Sequence, residues 1–410
     1  MNLIQYFFNP PKILKKDYLN YEKKKLKLKH ELKSNSFGFQ KELNQPRTDE
    51  IDAIVKKLER FKTVLFLGTG GSSLGGKTLV SIIEKKNKLN PKIYFLENID
   101  FESLVKVLDN IELKNTGVVA ISKSGETIET ISQLFYITNK FDEKNIPKNK
   151  NIFIITEKKK SFLKNLQESE KYSFLEHSSE IGGRFSIFSV VALVPAKLSG
   201  FNIETFYSSA RKFLTDIISN NELFDYYFKS SFYQFVLSRT GRNMSIIMPY
   251  IDSLGNFALW FRQLLAESIG KNGKGLTPVN ALGTVDQHSQ LQLYLDGPKD
   301  KIFTIISRKL KNQNHKKLDC SFQEGRFSLL HQKSLEEILH AEMKATCETM
   351  NKNGLPVRVL ELNAIDEESI GELSIFYFIE TIFLCKFLKV NPFDQPAVEE
   401  GKVLTKSYLK

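Results

Sequence analysis

Apolar residues in this chain fall into short unbroken runs separated by longer stretches of mixed polarity. The first series is TVLFLG from residue 63, KIYFLE at 92–97, GVVAIS at 117–122 and NIFIIT at 151–156. Runs of this length alternating with helix-length segments predict a parallel sheet covered by helices on both faces. After residue 160 the pattern turns largely helical, over 189–198, 205–219, 224–238 and 254–269. A second series of runs follows at 244–250, 301–307 and 357–362, with a helix over 334–351 between the last two. The expected organisation is a helical arm over 1–50 without a core of its own, one α/β domain over 51–215, a second over 216–390, and a helical tail over 391–410.

One stretch, IGELSIFYFIETIFLCKFLKV at 370–390, is long and apolar enough to raise the question of a membrane. It carries Glu372, Glu380 and Lys386. A charge near mid-bilayer costs roughly 2.5–3.5 kcal/mol, so a helix buried in a protein core is the expectation, with no membrane. Hydrophobic residues make up 41% of the 410 and charged residues 26%, which excludes a disordered chain. Cys320, Cys347 and Cys385 form no C-x-x-C pair, which suits core thiols in a reducing cytoplasm. The N-terminus MNLIQYFFNPPKILKK lacks a basic lead and is broken by Pro-Pro, so no secretion signal is expected.

The formal net charge of +12 comes partly from a lysine-rich run over 12–29. No nucleic-acid-binding module accompanies it, so a solvated helical arm is the reading, with no nucleic acid as partner. A basic balance also raises the local concentration of a small anionic substrate. None of the six histidines lies at zinc-site spacing from Cys, Asp or another His, so no metal is expected.

Two loops point to phosphate. Residues 63–78, TVLFLGTGGSSLGGKT, read as strand, glycine turn and helix, and a helix N-terminus with free N–H groups favours an anion. Residues 71–78 also satisfy the Walker pattern, which would imply a nucleotide hydrolase. That reading needs a second strand ending in an acidic residue for magnesium, and IYFLENID at 93–100 is a poor candidate. The second loop, Ser122-Lys123-Ser124-Gly125-Glu126-Thr127, places three hydroxyls at the start of a helix after another strand. Ser124 could equally be an N-cap, and Glu126 would have to point outward to spare a bound phosphate.

Three further groups could do chemistry. Gln263 and Glu267 are four apart and share a helix face before Gly270 ends the helix, so Glu267 is a candidate general base. Gly283-Thr284 precedes His288, predicting a helix with the imidazole near its first turn. In Gly182-Gly183-Arg184-Phe185-Ser186 the guanidinium could stabilise an oxyanion or pair with a carboxylate.

GTGGSSLGG, SKSGET, GGRFS, ESIGK, GTVDQHS and NPFDQPAVEEGK, in this order from about residue 60 to the end, resemble the phosphoglucose isomerase family. The resemblance implies two sugar-isomerase-type (SIS) three-layer αβα domains and aldose–ketose isomerisation of hexose 6-phosphates, through a cis-enediol and without metal or cofactor. It implies Glu267 as the base, Arg184 as the cation for the enediolate, and His288 with Lys402 as openers of the sugar ring. Ser72, Ser122, Ser124 and Thr127, in loops that include Gly71 and Lys123, would hold the phosphate, and Gln263 and Gln395 would line the sugar. It further implies a homodimer in which His288 serves the neighbouring subunit. Ala397 stands where the family usually has Gly, and the chain is shorter than many members. A dual glucose/mannose phosphate isomerase, a non-catalytic sugar-phosphate-binding protein and a P-loop NTPase are the competing readings.

Overall fold

A computed structural model of the chain describes residues 1–83, 91–310, 316–320 and 325–410. Strand β1 (Leu3–Phe8) opens the chain. Strands β2 (Thr63–Leu67), β3 (Lys92–Leu96), β4 (Thr116–Ile121), β5 (Ile152–Thr156) and β6 (Ser173–Glu176) form one parallel sheet, in the order β3-β2-β4-β5-β6. Strands β7 (Met244–Pro249), β8 (Thr277–Asn280), β9 (Lys301–Arg308) and β10 (Val357–Leu362) join β1 in a second sheet, in the order β1-β10-β9-β7-β8. Among these strands only β1 runs antiparallel, along β10.

Alternation along the strands builds the layers. In β2, Val64 and Phe66 face a core shared with Ile247 of β7 and Leu360 of β10, while Leu65 and Leu67 face a separate cluster with Val118 and Ile154. The second sheet likewise has its own outer cluster around Ile246, Met248 and Phe303. Successive side chains of a strand point to opposite faces, so a fully apolar run can serve two helical layers at once. The layer between the sheets is helical, and the helices Ile203–Ser219 and Asn221–Ser238 both pack on Glu367–Leu388. The two sheets are therefore welded through one continuous core.

The Glu367–Leu388 helix is buried along nearly its whole length, as its composition predicts, and its charges are paired. Glu380 meets Arg358, Lys386 meets Glu31, and Glu372 accepts the Asn2 backbone N–H at 2.7 Å. Among the described residues no helix is long and apolar enough to cross a membrane.

The N-terminal arm differs from expectation in two ways. Leu3–Phe8 is a strand, because LIQYFF alternates and finds the open edge of β10. The helix Lys15–Lys33 that follows also has a core contact, burying Tyr21, Leu28 and Leu32 in the shared core. Strands β6 and β8 likewise lie at sheet edges and do not stand out as apolar runs.

Candidate active site

In the first sheet the chain leaves β2 for β3 on one side and then returns to place β4 on the other. The crevice outside the carboxyl ends of β2 and β4 is where an open parallel sheet accepts ligands. Both sequence-predicted loops are there. After β2 the backbone makes a tight turn over Gly70–Ser72 and enters the helix Leu74–Ile82. Gly70 has φ +57°, and a Cβ on Gly71 would lie 2.4 Å from the Gly183 Cα, so this loop is pressed against the Gly182-Gly183-Arg184 turn. Ser186 Oγ donates to the Gly71 carbonyl at 2.7 Å and fixes the contact.

The Walker reading fails on placement. Lys77 lies inside the helix and its ammonium is 2.6 Å from Glu97 Oε2, while Thr78 is buried and donates to the Asn256 carbonyl at 3.0 Å. Neither side chain is available to a nucleotide. Ser72 is half-buried in the turn. Its neighbour Ser73, which the motif did not single out, is buried with a hydroxyl that has no hydrogen-bond partner. A serine run gives no sign of which member is orphaned; only the fold shows it.

In the second loop, Ser122 Oγ lies 2.7 Å from Thr127 Oγ1 and 3.5 Å from Ser124 Oγ, at the N-terminus of the helix Ile128–Glu143. Gly125, at φ +70°, packs so closely on Ser161 that a Cβ would lie 2.1 Å from its Oγ. Glu126 is exposed and accepts the Phe162 N–H at 2.7 Å, which takes its carboxylate to the start of the next helix. Lys123 is turned away as well. Its ammonium donates to the Ser179 carbonyl at 2.9 Å and faces Glu157 at 3.7 Å, and burial pulls it below the ordinary lysine value.

The helix Gly255–Ile269 carries the candidate base. Phe257, Trp260, Phe261, Leu264 and Leu265 bury one side, leaving Gln263 and Glu267 half-buried on another. Gln263 Nε2 donates to Glu267 Oε1 at 2.9 Å, and a Cβ on Gly70 would lie 3.0 Å from that same nitrogen, so the helix face abuts the glycine loop. Gln263 Oε1 is buried without a partner. Gly270 ends the helix, where a Cβ would strike the Ala266 carbonyl at 2.8 Å.

Arg184 joins these parts. It is 1% exposed, and Phe185 beside it packs at a tilt against Phe378, 4.9 Å between centroids, anchoring the turn on the buried helix. Nη1 donates to Glu267 Oε2 at 3.2 Å and to Gln395 Oε1 at 2.9 Å. Nη2 donates to the Pro392 and Asp394 carbonyls at 2.6 and 2.9 Å, and Nε to Ser268 Oγ at 2.9 Å. Burial lowers the Arg184 pKa, and the Glu267 carboxylate opposes that shift. The guanidinium is thus paired with a carboxylate, one of the two sequence readings, and that carboxylate is the candidate base. Its grip on the tail backbone was invisible in the sequence. Lys271 adds to that grip, with its ammonium 2.9 Å from Asp394 Oδ1 and donating to the Ser268 carbonyl at 3.0 Å.

His288 and Lys402 are placed differently. His288 is exposed in the last turn of the helix Gly283–Ser289, not near its first turn, because the helix starts at the glycine and is only seven residues long. Lys402 is on the exposed helix Glu399–Tyr408, paired with Glu399 Oε1 at 2.6 Å. Neither has a hydrogen bond or ion pair with Glu267 or Arg184.

Two mainly parallel sheets with phosphate-type loops, and a carboxylate beside a buried guanidinium, define a phosphosugar-processing α/β protein of the sugar-isomerase fold. The family model described as phosphoglucose isomerase matches residues 54–410, and the chain belongs to that family. It is 32% identical to the glucose-6-phosphate isomerase of Rubrobacter xylanophilus, covering 88% of this chain and 87% of that protein. Its identity to the glucose-6-phosphate isomerase of Methanocaldococcus jannaschii is 31%, over 87% and 86% respectively. Among solved structures, a hypothetical protein of Thermus thermophilus superposes with a TM-score of 0.84 at 26% identity, covering 99% of this chain and 100% of that one.

Proposed function

We propose that the chain interconverts glucose 6-phosphate and fructose 6-phosphate through a cis-enediol, with Glu267 as the base that carries a proton between C2 and C1. The observation that carries this reading is the Gln263–Glu267–Arg184 chain, with links of 2.9 and 3.2 Å, set against a glycine loop at the sheet's ligand crevice. Aldose–ketose conversion requires one base on one face of a planar intermediate and a cation for its oxyanion. Glu267 supplies the first and Arg184 the second. Every N–H of Arg184 is already engaged, and Gln395 Oε1 is its exposed side-chain partner. The developing oxyanion would take the place of Gln395 on Nη1, exchanging a neutral amide acceptor for an anionic one.

Ser72, Ser122, Ser124 and Thr127 would hold the phosphate. The unpartnered Ser73 hydroxyl and Gln263 carbonyl oxygen supply further groups that a sugar phosphate would satisfy. Anchoring the phosphate away from the reacting carbons supplies binding energy that orients them. Lys402 and His288 would open the ring, His288 acting in a second copy of the chain, which suits its exposed position and makes the protein a homodimer. On this reading the two sheets belong to sugar-isomerase units over 51–215 and 216–390, with the arm 1–50 and the tail 391–410 attached. A coupled assay with fructose 6-phosphate, run beside an ATP hydrolysis assay, tests the reading. Isomerisation without hydrolysis is the expected outcome, and hydrolysis without isomerisation would overturn it.

A further inference from the structure

A cleft of about 440 Å³ opens where the Lys15–Lys33 helix meets the end of the Glu367–Leu388 helix and tail residues 391–393. Its charged lining is Lys24, Lys27, Lys386 and Lys389 against one carboxylate, Glu31, which is already committed to Lys386. Lys24 donates to the Lys386 backbone carbonyl, while Lys27 and Lys389 enter no ion pair among the described residues. Burial, followed by Lys389, Lys386, Lys27 and Lys23, holds the Lys24 ammonium below its ordinary value. Like charges are therefore gathered around a concave space in which, among the described residues, only Lys386 is offset by a carboxylate. A solvated lysine face would spread such charges over convex surface; here they converge on a volume within the roughly 300–1,000 Å³ range of small-molecule sites.

The wall of the cleft belongs to the machinery described above. The Asn391 carbonyl accepts from Lys271, and the Pro392 carbonyl accepts from Arg184 Nη2 at 2.6 Å. Cys385, also in the wall, has its sulfur 3.4 Å from the Ser268 carbonyl, and Ser268 Oγ holds Arg184 Nε at 2.9 Å. Anything that orders or shifts residues 391–393 therefore acts on the backbone that orients Arg184.

We propose that this cleft binds a small anion carrying two or more phosphate groups, at a site separate from the phosphate loops, and that its occupancy alters turnover through tail residues 391–393. Multiply charged phosphate matches the exposed Lys27 and Lys389 ammonium groups, which lie on flexible stems able to close around it, with the partly buried Lys24 and the paired Lys386 beside them. The site's effect on turnover rests on the function proposed above; its existence does not.

Inorganic pyrophosphate is the probe, titrated calorimetrically into the full chain at saturating fructose 6-phosphate so that the phosphate loops are occupied. Binding is expected to persist, and the double variant Lys27→Glu/Lys389→Asn is expected to weaken it about tenfold or more. Both residues are exposed, and Asn tolerates the left-handed backbone of Lys389, at φ 57°, so the variant should fold. Loss of binding at saturating hexose phosphate, or equal binding by the variant, would overturn the site. Saturating pyrophosphate is also expected to change kcat of the wild-type chain at least about twofold and to leave the variant unmoved. An unchanged kcat with binding intact would overturn the link to the tail. A chain that binds pyrophosphate but isomerises nothing would count against the proposed reaction and not against the cleft.

Discussion

The residues assigned to proton transfer and those assigned to ring opening have opposite surroundings. Glu267, Gln263 and Arg184 are tied to one another and to the glycine loop by hydrogen bonds and close packing, with Arg184 buried and its guanidinium 5.7 Å from the Phe185 ring centroid. His288 and Lys402 stand exposed on short helices, and the Glu399–Tyr408 helix has no buried residue at all. On the proposed reading, the chain by itself holds the groups that would carry the proton and stabilise charge, and a second copy, or movement of the tail, would have to bring in those that exchange protons with a ring oxygen.

The sharpest way to break this contrast is Glu267→Gln, an isostere whose one amide oxygen can still accept from Arg184, while its NH2 requires Gln263 to turn its unpartnered Oε1 toward it. Turnover should fall by about 10³-fold or more while KM stays within about threefold, and a variant of near-normal kcat would remove Glu267 from the role of base. Next in size, His288→Ala should lower kcat about 10²-fold. Mixing it with Glu267→Gln chains should then restore activity, because a mixed dimer would hold one site with both residues intact. Mixtures as inactive as their parents would place His288 in its own subunit's site or outside the reaction.

Lys271 tests the seam between the two halves. Lys271→Ala removes the ammonium that holds Asp394 and the Asn391 carbonyl, and should cost about tenfold in kcat/KM through a looser Gln395 and Lys402. Lys271→Arg should recover most of it; an alanine variant indistinguishable in kinetics would show that the tail is held by Arg184 alone. The smallest effect concerns stability. Glu42, on the helix Gly38–Asn44 that packs on the Gly183–Phe188 turn, is buried with Oε2 unpartnered, and burial raises its pKa to about 7. Between its ordinary value of 4.5 and about 7 the folded chain holds a proton that the unfolded chain has released, so this group lowers stability as pH rises through that window. Glu42→Gln should gain on wild type by a few kcal/mol more at pH 8 than at pH 4, read from denaturant midpoints, with kcat unchanged. A constant difference across pH would show that the Glu42 carboxyl titrates alike in the folded and unfolded chains.

Much of the fold could be read from unbroken apolar runs, because central parallel strands are buried on both faces. Strands β1, β6 and β8 escaped because edge strands are partly solvated, and TPVN or SFLE looks like loop. In the site, the four-residue spacing of Gln263 and Glu267 translated directly into a hydrogen bond. Arg184 was legible as a cation, but its hold on the Pro392 and Asp394 carbonyls was not, since backbone acceptors are the same in every residue. Lys123 was read as part of a phosphate loop by position, yet its ammonium follows the carboxylate of Glu157 and the Ser179 carbonyl, which come from sequence far away.

The pairing of β1 with β10 also bears on how the protein is made. Leu3 leaves the ribosome long before its partner Leu362. At about 5–20 residues per second, β1 waits tens of seconds with its edge unpaired. Meanwhile the first sheet, whose strands all lie between Thr63 and Glu176, can assemble from what has already emerged. The second sheet closes only once β10 has emerged, so a nascent chain stalled before it would expose an unpaired strand of alternating apolar residues to chaperones and to its neighbours.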